Sequence, residues 1–204
     1  MTLASYLTYC VAIALAAATP GPAMFAVIAN GVSRGFLRAF MVGVGVAVGD
    51  SILVTLALLG LVALAQTFEW VFLVARYAGA AYLVFLGIRI WRAAATQAHA
   101  QGAEKSRLLS RSVALGTSIA LGNPKAILFH ASIMPLILDL RAITLPDGLA
   151  IVATVIAVNI VTMGIYAVLA GRASHWFRTP ARMRLMNRVA GGTLIGTGVL
   201  VASR

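Results

Sequence analysis

Acidic side chains are scarce in this sequence. Five Asp and Glu stand against sixteen Lys and Arg, and charged residues make up only 10% of 204 positions. A soluble domain carries roughly 25%, so the composition excludes an ordinary water-soluble fold. The acids and the three histidines are scattered, with no grouping suited to a bound metal or to acid–base catalysis. Cysteine is reduced to Cys10, which excludes an internal disulfide and Cys-x-x-Cys redox chemistry and leaves a small packing residue in an apolar run. No Gly-x-x-x-x-Gly-Lys-Ser/Thr loop occurs, so ATP is not the expected energy source, and no cofactor is implied. No Lys or Arg precedes Arg34. The opening apolar run therefore lacks the basic flank of a secretory leader and is expected to be retained.

What is present is hydrophobic. Apolar residues make up 61% of the chain and mean hydropathy is +0.98. A spanning helix needs about 20 apolar residues. The sequence reads as an all-α polytopic membrane protein with six spans, at about 3–30, 40–65, 69–91, 112–138, 147–170 and 184–202. The whole of 1–204 is then one transmembrane domain, made of a first three-helix half (1–91), a polar linker (92–111) and a second half (112–204). A net charge of +11 would suggest nucleic acid in a soluble chain. Here the cations flank the spans, so the expected partner is the lipid bilayer and no nucleic acid is implied. Twelve of the sixteen fall on one side: Arg34, Arg38, Arg89, Arg92, Lys105, Arg107, Arg111, Arg172, Arg178, Arg182, Arg184 and Arg188. The positive-inside rule assigns that side to the cytoplasm and both termini to the outside. Trp70, Trp91 and Trp176 fall at span ends, where interfacial anchors sit.

Two apolar runs are interrupted. Thr19-Pro20-Gly21-Pro22 breaks the first span and Asn123-Pro124-Lys125 breaks the fourth. Proline lacks an N–H and crowds the turn before it. In lipid, irregular backbone is tolerated only where protein or a water-filled cavity surrounds it. Paired interruptions in two halves point to a transporter's substrate site. The starts of the third and sixth spans also match, as Arg76-Tyr-Ala-Gly-Ala-Ala and Arg188-Val-Ala-Gly-Gly-Thr. With three spans per half, the second half is inserted upside down. The expectation is a 3+3 inverted repeat with helices 1 and 4 broken at their Pro motifs.

The order of short motifs resembles the LysE/RhtB family of amino-acid exporters. Thr19-Pro20-Gly21-Pro22 is followed by Ser33-Arg34-Gly35, Gly45 to Gly49, Ala78-Gly79-Ala80-Ala81-Tyr82-Leu83 with Leu86-Gly87, and Asn123-Pro124-Lys125-Ala126. The match covers about the first 138 residues; the last two spans agree in hydropathy and length. The resemblance implies a carrier of the bacterial inner membrane that exports amino acids or related metabolites by proton antiport. The stretches Phe129-His130 and Met134-Pro135-Leu136 depart from the family pattern and leave the substrate open.

Individual residues fit that picture. Asp50 lies near mid-span, where a carboxylate is costly and usually faces a cavity or a partner. It is the first candidate for proton coupling, against a static ion pair or capping hydrogen bond. His130 is a second candidate for relaying protons, against a hydrogen bond to a neighbouring helix. Lys125 has three roles open to it: pairing with Asp50, holding carbonyls freed at the break, or binding a substrate carboxylate. Thr19, Pro20, Gly21, Pro22, Asn123, Pro124 and Lys125 form the candidate substrate-binding set, because unwound segments offer N–H groups to an anion and carbonyls to an ammonium. Asn159 and Thr162 read as interhelical hydrogen-bonding groups. Gly45-xxx-Gly49 and Gly192-xxx-Gly196 read as close-packing stripes. A metal-cation exporter would need more acidic or thiol ligands, an intramembrane enzyme would need paired catalytic groups, and a non-transport subunit would leave Asp50 and Lys125 without a use. Assembly into a homo-oligomer is compatible with all of these.

Overall fold

A computed structural model describes residues 1–60, 77, 80–81, 84–85, 87–92, 103–173 and 180–203. The expectations that rest on Arg76, Trp70, Trp176 and residues 93–102 lie outside them. Regular structure among the described residues is entirely helical.

The first apolar run forms two helices, α1 (Leu3–Ala18) and α2 (Pro22–Arg34), bent by 52°. The chain dictates the stop. Pro20 has no N–H with which to continue the helix, and the Thr19 hydroxyl turns back to donate to the Leu15 carbonyl at 2.7 Å. Pro22 then occupies the first position of α2, where a missing N–H costs nothing. Gly35, at φ 85°, turns α2 into α3 (Phe36–Leu58). A side chain would be strained in that left-handed region. α3 was expected to run to residue 65 but stops at Leu58, followed by Gly60 at φ 70°.

The second half begins earlier than its hydropathy suggests. α4 covers Ala103–Leu121, so the later part of the expected polar linker is helical. Ala, Glu, Lys, Arg and Leu there are all good helix formers. α4 ends at the second break. Pro124 opens α5 (Pro124–Leu128) as Pro22 opens α2, a π-turn follows over Phe129–Ile133, and α6 (Met134–Ile137) continues it. Pro135 has no N–H to give the carbonyl four residues before it, and the helix widens in the turn ahead of it. A short 3₁₀ turn (Leu140–Ala142) leads to α7 (Leu145–Ala173), and α8 spans Pro180–Ser203.

Helices α3 and α7 are each long and apolar enough to cross a bilayer, and the bent α1–α2 pair makes a third if counted as one span. Large apolar side chains point outward along them. Leu3, Leu7, Val11 and Leu15 form an exposed stripe on α1 at helical spacing. Water would penalise such a stripe, whereas lipid does not. The chain is a multi-pass membrane protein.

α3 is the hub, packing on α2, α4 and α7. It meets α4 through backbone. A Cβ at Gly45 would lie 2.0 Å from the Val113 carbonyl oxygen, and one at Gly116 would lie 1.9 Å from that of Val42. The Thr117 hydroxyl donates across this contact to the Gly45 carbonyl at 3.0 Å. Gly45 and Gly49 thus pack as expected. Gly192-xxx-Gly196 does so only at Gly192, which meets the Trp91 ring; among the described residues nothing approaches Gly196, and α8 also packs through Gly191 against Gly87 and Gly198 against Ala80.

These contacts fix running directions. α3 and α4 are parallel, since Gly45 faces Val113 and Gly49 faces Ala120. α3 and α7 are antiparallel, with Gly43 against Met163 and Leu58 against Gly148. α1 and α7 are parallel, because Tyr6 bonds Thr154 and Ala18 bonds Tyr166. Ala80, Val84, Gly87 and Trp91 meet α8 in antiparallel order, Ala80 and Val84 against Gly198, and Gly87 and Trp91 against Gly191.

The buried apolar residues form two clusters, one at each end of the molecule. The first is built of small residues from α2, α3, α4, α7 and α8, including Ala26, Val42, Ala120 and Ala167. The second is larger in side chain and joins Tyr9, Ile13, Val54, Phe129, Met134 and Val155. Asp50 and Asn159 lie between the two along α3 and α7.

Candidate functional site

Between the clusters lies a cavity of about 30 Å³, to which the two breaks contribute Thr19 and Gly21 on one side and Asn123 and Lys125 on the other. Asp50, His130 and Asn159 complete its polar lining, and Ile13, Met24, Phe129 and Met163 supply apolar wall. A water molecule needs at least about 10–15 Å³. The cavity has room for about two waters.

Lys125 joins the two breaks. Its Nζ donates to the Ala16 carbonyl and to the Thr19 carbonyl, each at 2.7 Å. Both lie at the C-terminal end of α1, where the helix dipole is negative, and the Ala16 carbonyl also accepts from the Thr19 N–H at 3.3 Å. Of the three roles open to Lys125, the structure realises the hold on freed carbonyls. Charge-assisted bonds of this length are the strong kind, and a cation at a helix C-terminus adds roughly 0.3–2 kcal/mol. A Cβ on Gly21 would lie 3.4 Å from the same Nζ, which shows how closely the breaks approach. The Tyr166 hydroxyl donates to the Ala18 carbonyl at 2.9 Å and holds the end of α1 from α7.

Asn123 is buried and its side-chain oxygen accepts from the Lys125 N–H at 3.2 Å, capping α5. Its side chain thereby fixes the lysine's own backbone. Thr19 presents its carbonyl to Lys125 while its hydroxyl is spent on α1. Pro20 lies in the break, and Pro22 and Pro124 are the first residues of the helices that resume after it.

Asp50 is 8% exposed. It accepts from Asn159 Nδ2 at 2.9 Å, and the same amide donates to the Val155 carbonyl at 3.0 Å. No ion pair joins Asp50 to Lys125, whereas the Met1 ammonium does pair with Asp147, at 3.2 Å. The two charged groups instead line one cavity separately, each held by neutral partners. A buried carboxylate with one amide donor is incompletely satisfied, since ionised it offers about four acceptor sites. It remains free to take a proton or a cation.

His130 sits in the π-turn, 2% exposed, and neither ring nitrogen has a hydrogen-bond partner among the described residues. Its ring stands edge-on to Phe129 with centroids 5.4 Å apart. The hydrogen bond to a neighbouring helix that its position suggested is not made.

Sequence reasoning read Asn159 as an interhelical hydrogen-bonding group, and it is one, from α7 to α3; what was not foreseen is that its partner is Asp50. The signal was depth. Asp50 lies fourteen residues from Phe36, and Asn159 lies fourteen residues from Ala173 (50 − 36 and 173 − 159), at the same end of two antiparallel helices. Both are about 21 Å in at 1.5 Å per residue. Tyr166 and Tyr9 were also passed over, because a tyrosine near an apolar run carries no distinctive spacing.

The sequence model of the LysE type translocators matches residues 14–204. The chain is 32% identical over 206 residues to a homoserine/homoserine lactone efflux protein of Salmonella typhimurium, covering 100% of this chain and 98% of the relative. It is 30% identical over 201 residues to a leucine efflux protein of Klebsiella pneumoniae, covering 98% and 95%. An uncharacterised membrane protein of Vibrio cholerae is 28% identical over 205 residues. No solved structure matches.

Proposed function

The chain belongs to the LysE type translocator family, and from that premise we propose that it exports an amino acid or a related small zwitterion across the cytoplasmic membrane in exchange for protons. It is a transporter and not an enzyme. The observation that carries the reading is the meeting of the two helix breaks at one small cavity, lined also by Asp50, His130 and Asn159, with an apolar cluster on either side. Such a cavity becomes a transport site if the clusters part alternately.

Six spans in two inverted halves account for the running directions. In a chain that crosses six times, alternate spans run opposite ways. Spans 2 and 4 would be parallel, as α3 and α4 are, and spans 1 and 5 parallel, as α1 and α7 are. Spans 2 and 5, and spans 3 and 6, would be antiparallel, as the contacts of α3 with α7 and of Gly87 with Gly191 are. In this arrangement each half contributes one break, and both breaks reopen at a proline.

The zwitterion's two ends find opposite partners. Carbonyls at the end of α1, now held by Lys125, suit an ammonium, and the lysine so released suits the carboxylate. Asp50 takes up the proton that returns, its amide partner Asn159 serving either protonation state. The cavity must widen several-fold for this to occur, since solute sites are typically hundreds of Å³.

Efflux from proteoliposomes tests the reading. Vesicles loaded with a panel of labelled amino acids, homoserine and leucine among them, are placed under an imposed pH gradient. Flux of at least one solute should rise with the gradient in the wild type and lose that dependence in Asp50→Asn. Flux indifferent to the gradient in both proteins would remove proton antiport, and no flux across the panel would remove amino-acid export.

A further inference from the structure

Three buried side-chain polar atoms lack a hydrogen-bond partner among the described residues: Tyr9 Oη, His130 Nδ1 and His130 Nε2. Tyr9 is 0% exposed. The two residues flank Phe129, with ring centroids 6.1 Å from Tyr9 and 5.4 Å from His130. A native interior leaves few such groups, and each one calls for an explanation. Core packing does not supply it, because a leucine or phenylalanine would fill the same volume without stranding polar atoms.

His130 and Phe129 also line the cavity. The other polar side chains there have partners: Lys125 holds carbonyls, Asp50 holds Asn159, and Asn123 caps α5. The imidazole is the lining group with its hydrogen-bonding capacity unspent. A neutral imidazole offers one donor and one acceptor. A hydroxyl matches both and a carbonyl matches the donor, whereas an alkyl end matches neither.

We infer that His130 is the subsite for the transported molecule's side chain, and that it selects amino acids ending in a hydroxyl or carbonyl over aliphatic ones of the same shape. The inference rests on the export reading above and deepens it. The charged ends common to all amino acids fall to the two breaks and Asp50, leaving the π-turn to tell one side chain from another. Discrimination follows from burial. A site built to hydrogen-bond a substrate rejects the analogue that lacks the group, because its own polar atoms are then left unpaired. The π-turn suits this role, since such turns recur at functional sites and displace side chains from ordinary helical register.

Homoserine and norvaline make the test, because they differ by a hydroxyl in place of a methyl. Wild-type proteoliposomes should export homoserine about tenfold faster than norvaline at equal loading. His130→Leu should lose most of that ratio. His130→Asn, which retains a donor and an acceptor, should preserve the preference. Equal export of the pair by the wild type, or the same ratio in His130→Leu, would overturn the subsite while leaving export intact. Thermal protection of the detergent-purified protein reads binding without flux. Homoserine raising the melting temperature of the wild type but not of His130→Leu, with no export of either, would sink transport and keep the subsite. Neither protection nor export would sink both.

Discussion

At the scale of single residues, Asp50 and Asn159 form one unit. The amide spends its two N–H groups on the carboxylate and on the Val155 carbonyl, so it is locked in orientation by its own helix. Asn159→Leu removes the donor and leaves the buried carboxylate unpaired. An unsatisfied buried group costs about 1–3 kcal/mol, more if charged. The expected loss of stability in detergent is therefore in that range, measured by thermal or denaturant unfolding. The loss should shrink when Asn159→Leu is made in an Asp50→Leu background, because no carboxylate is left to strand. A coupling of about 0.5–3 kcal/mol in this double-mutant cycle is expected for residues in contact; additive effects would show that the hydrogen bond contributes nothing to stability. Asp50 itself was legible in the sequence, because an acid in mid-span stands out against so apolar a background. Its partner was not, since an asparagine inside α7 looks like any interhelical polar group until the antiparallel packing of α3 and α7 is known.

At the scale of elements, the joint between α3 and α4 depends on absent side chains. Gly45 and Gly116 each press against the opposing backbone, where a methyl would come within about 2 Å of a carbonyl oxygen. Neither oxygen belongs to a side chain that could swing away. Gly45→Ala or Gly116→Ala must therefore push the helices apart. Overpacking costs typically 1–3 kcal/mol, and the Thr117 bond to Gly45 is lost with it. Gly196→Ala is the contrasting case. Among the described residues nothing lies within 4 Å of that position, so the gain in helix propensity of up to about 1 kcal/mol is uncompensated. Melting temperatures should fall for the first two and hold or rise for the third. The reverse order would mean that the α3–α4 contact is looser than described. The spacing Gly45-xxx-Gly49 announced its packing in the sequence, and Gly192-xxx-Gly196 announced the same thing rightly only at Gly192. Small-residue spacing marks a face able to pack closely but not whether a partner arrives there; Gly191 and Gly198 lie on the face that meets its neighbour. The breaks were legible because proline acts locally. The meeting of the breaks through Lys125 was not, because it depends on long-range packing.

At the scale of the whole molecule, parity and charge make separate claims. The parallel and antiparallel contacts fit an even number of crossings, which would place both ends of the chain on one side of the membrane. The distribution of Lys and Arg says which side: twelve of the sixteen cations fall at the opposite ends of the expected spans. Cysteine labelling separates the two. With Cys10 replaced by Ala, single cysteines at Ala4, Ala181 and Ser203 probe the start of α1 and the two ends of α8; all three positions are exposed. A membrane-impermeant maleimide added to intact cells should label Ala4→Cys and Ser203→Cys, and should reach Ala181→Cys only after permeabilisation. Labelling of Ala181→Cys alone would keep the six-span parity and reverse the orientation, so that the cation count would have misled. Labelling of Ala4→Cys without Ser203→Cys would break the parity itself and with it the inverted repeat, since two upside-down halves of three spans must return the chain to the side from which it started.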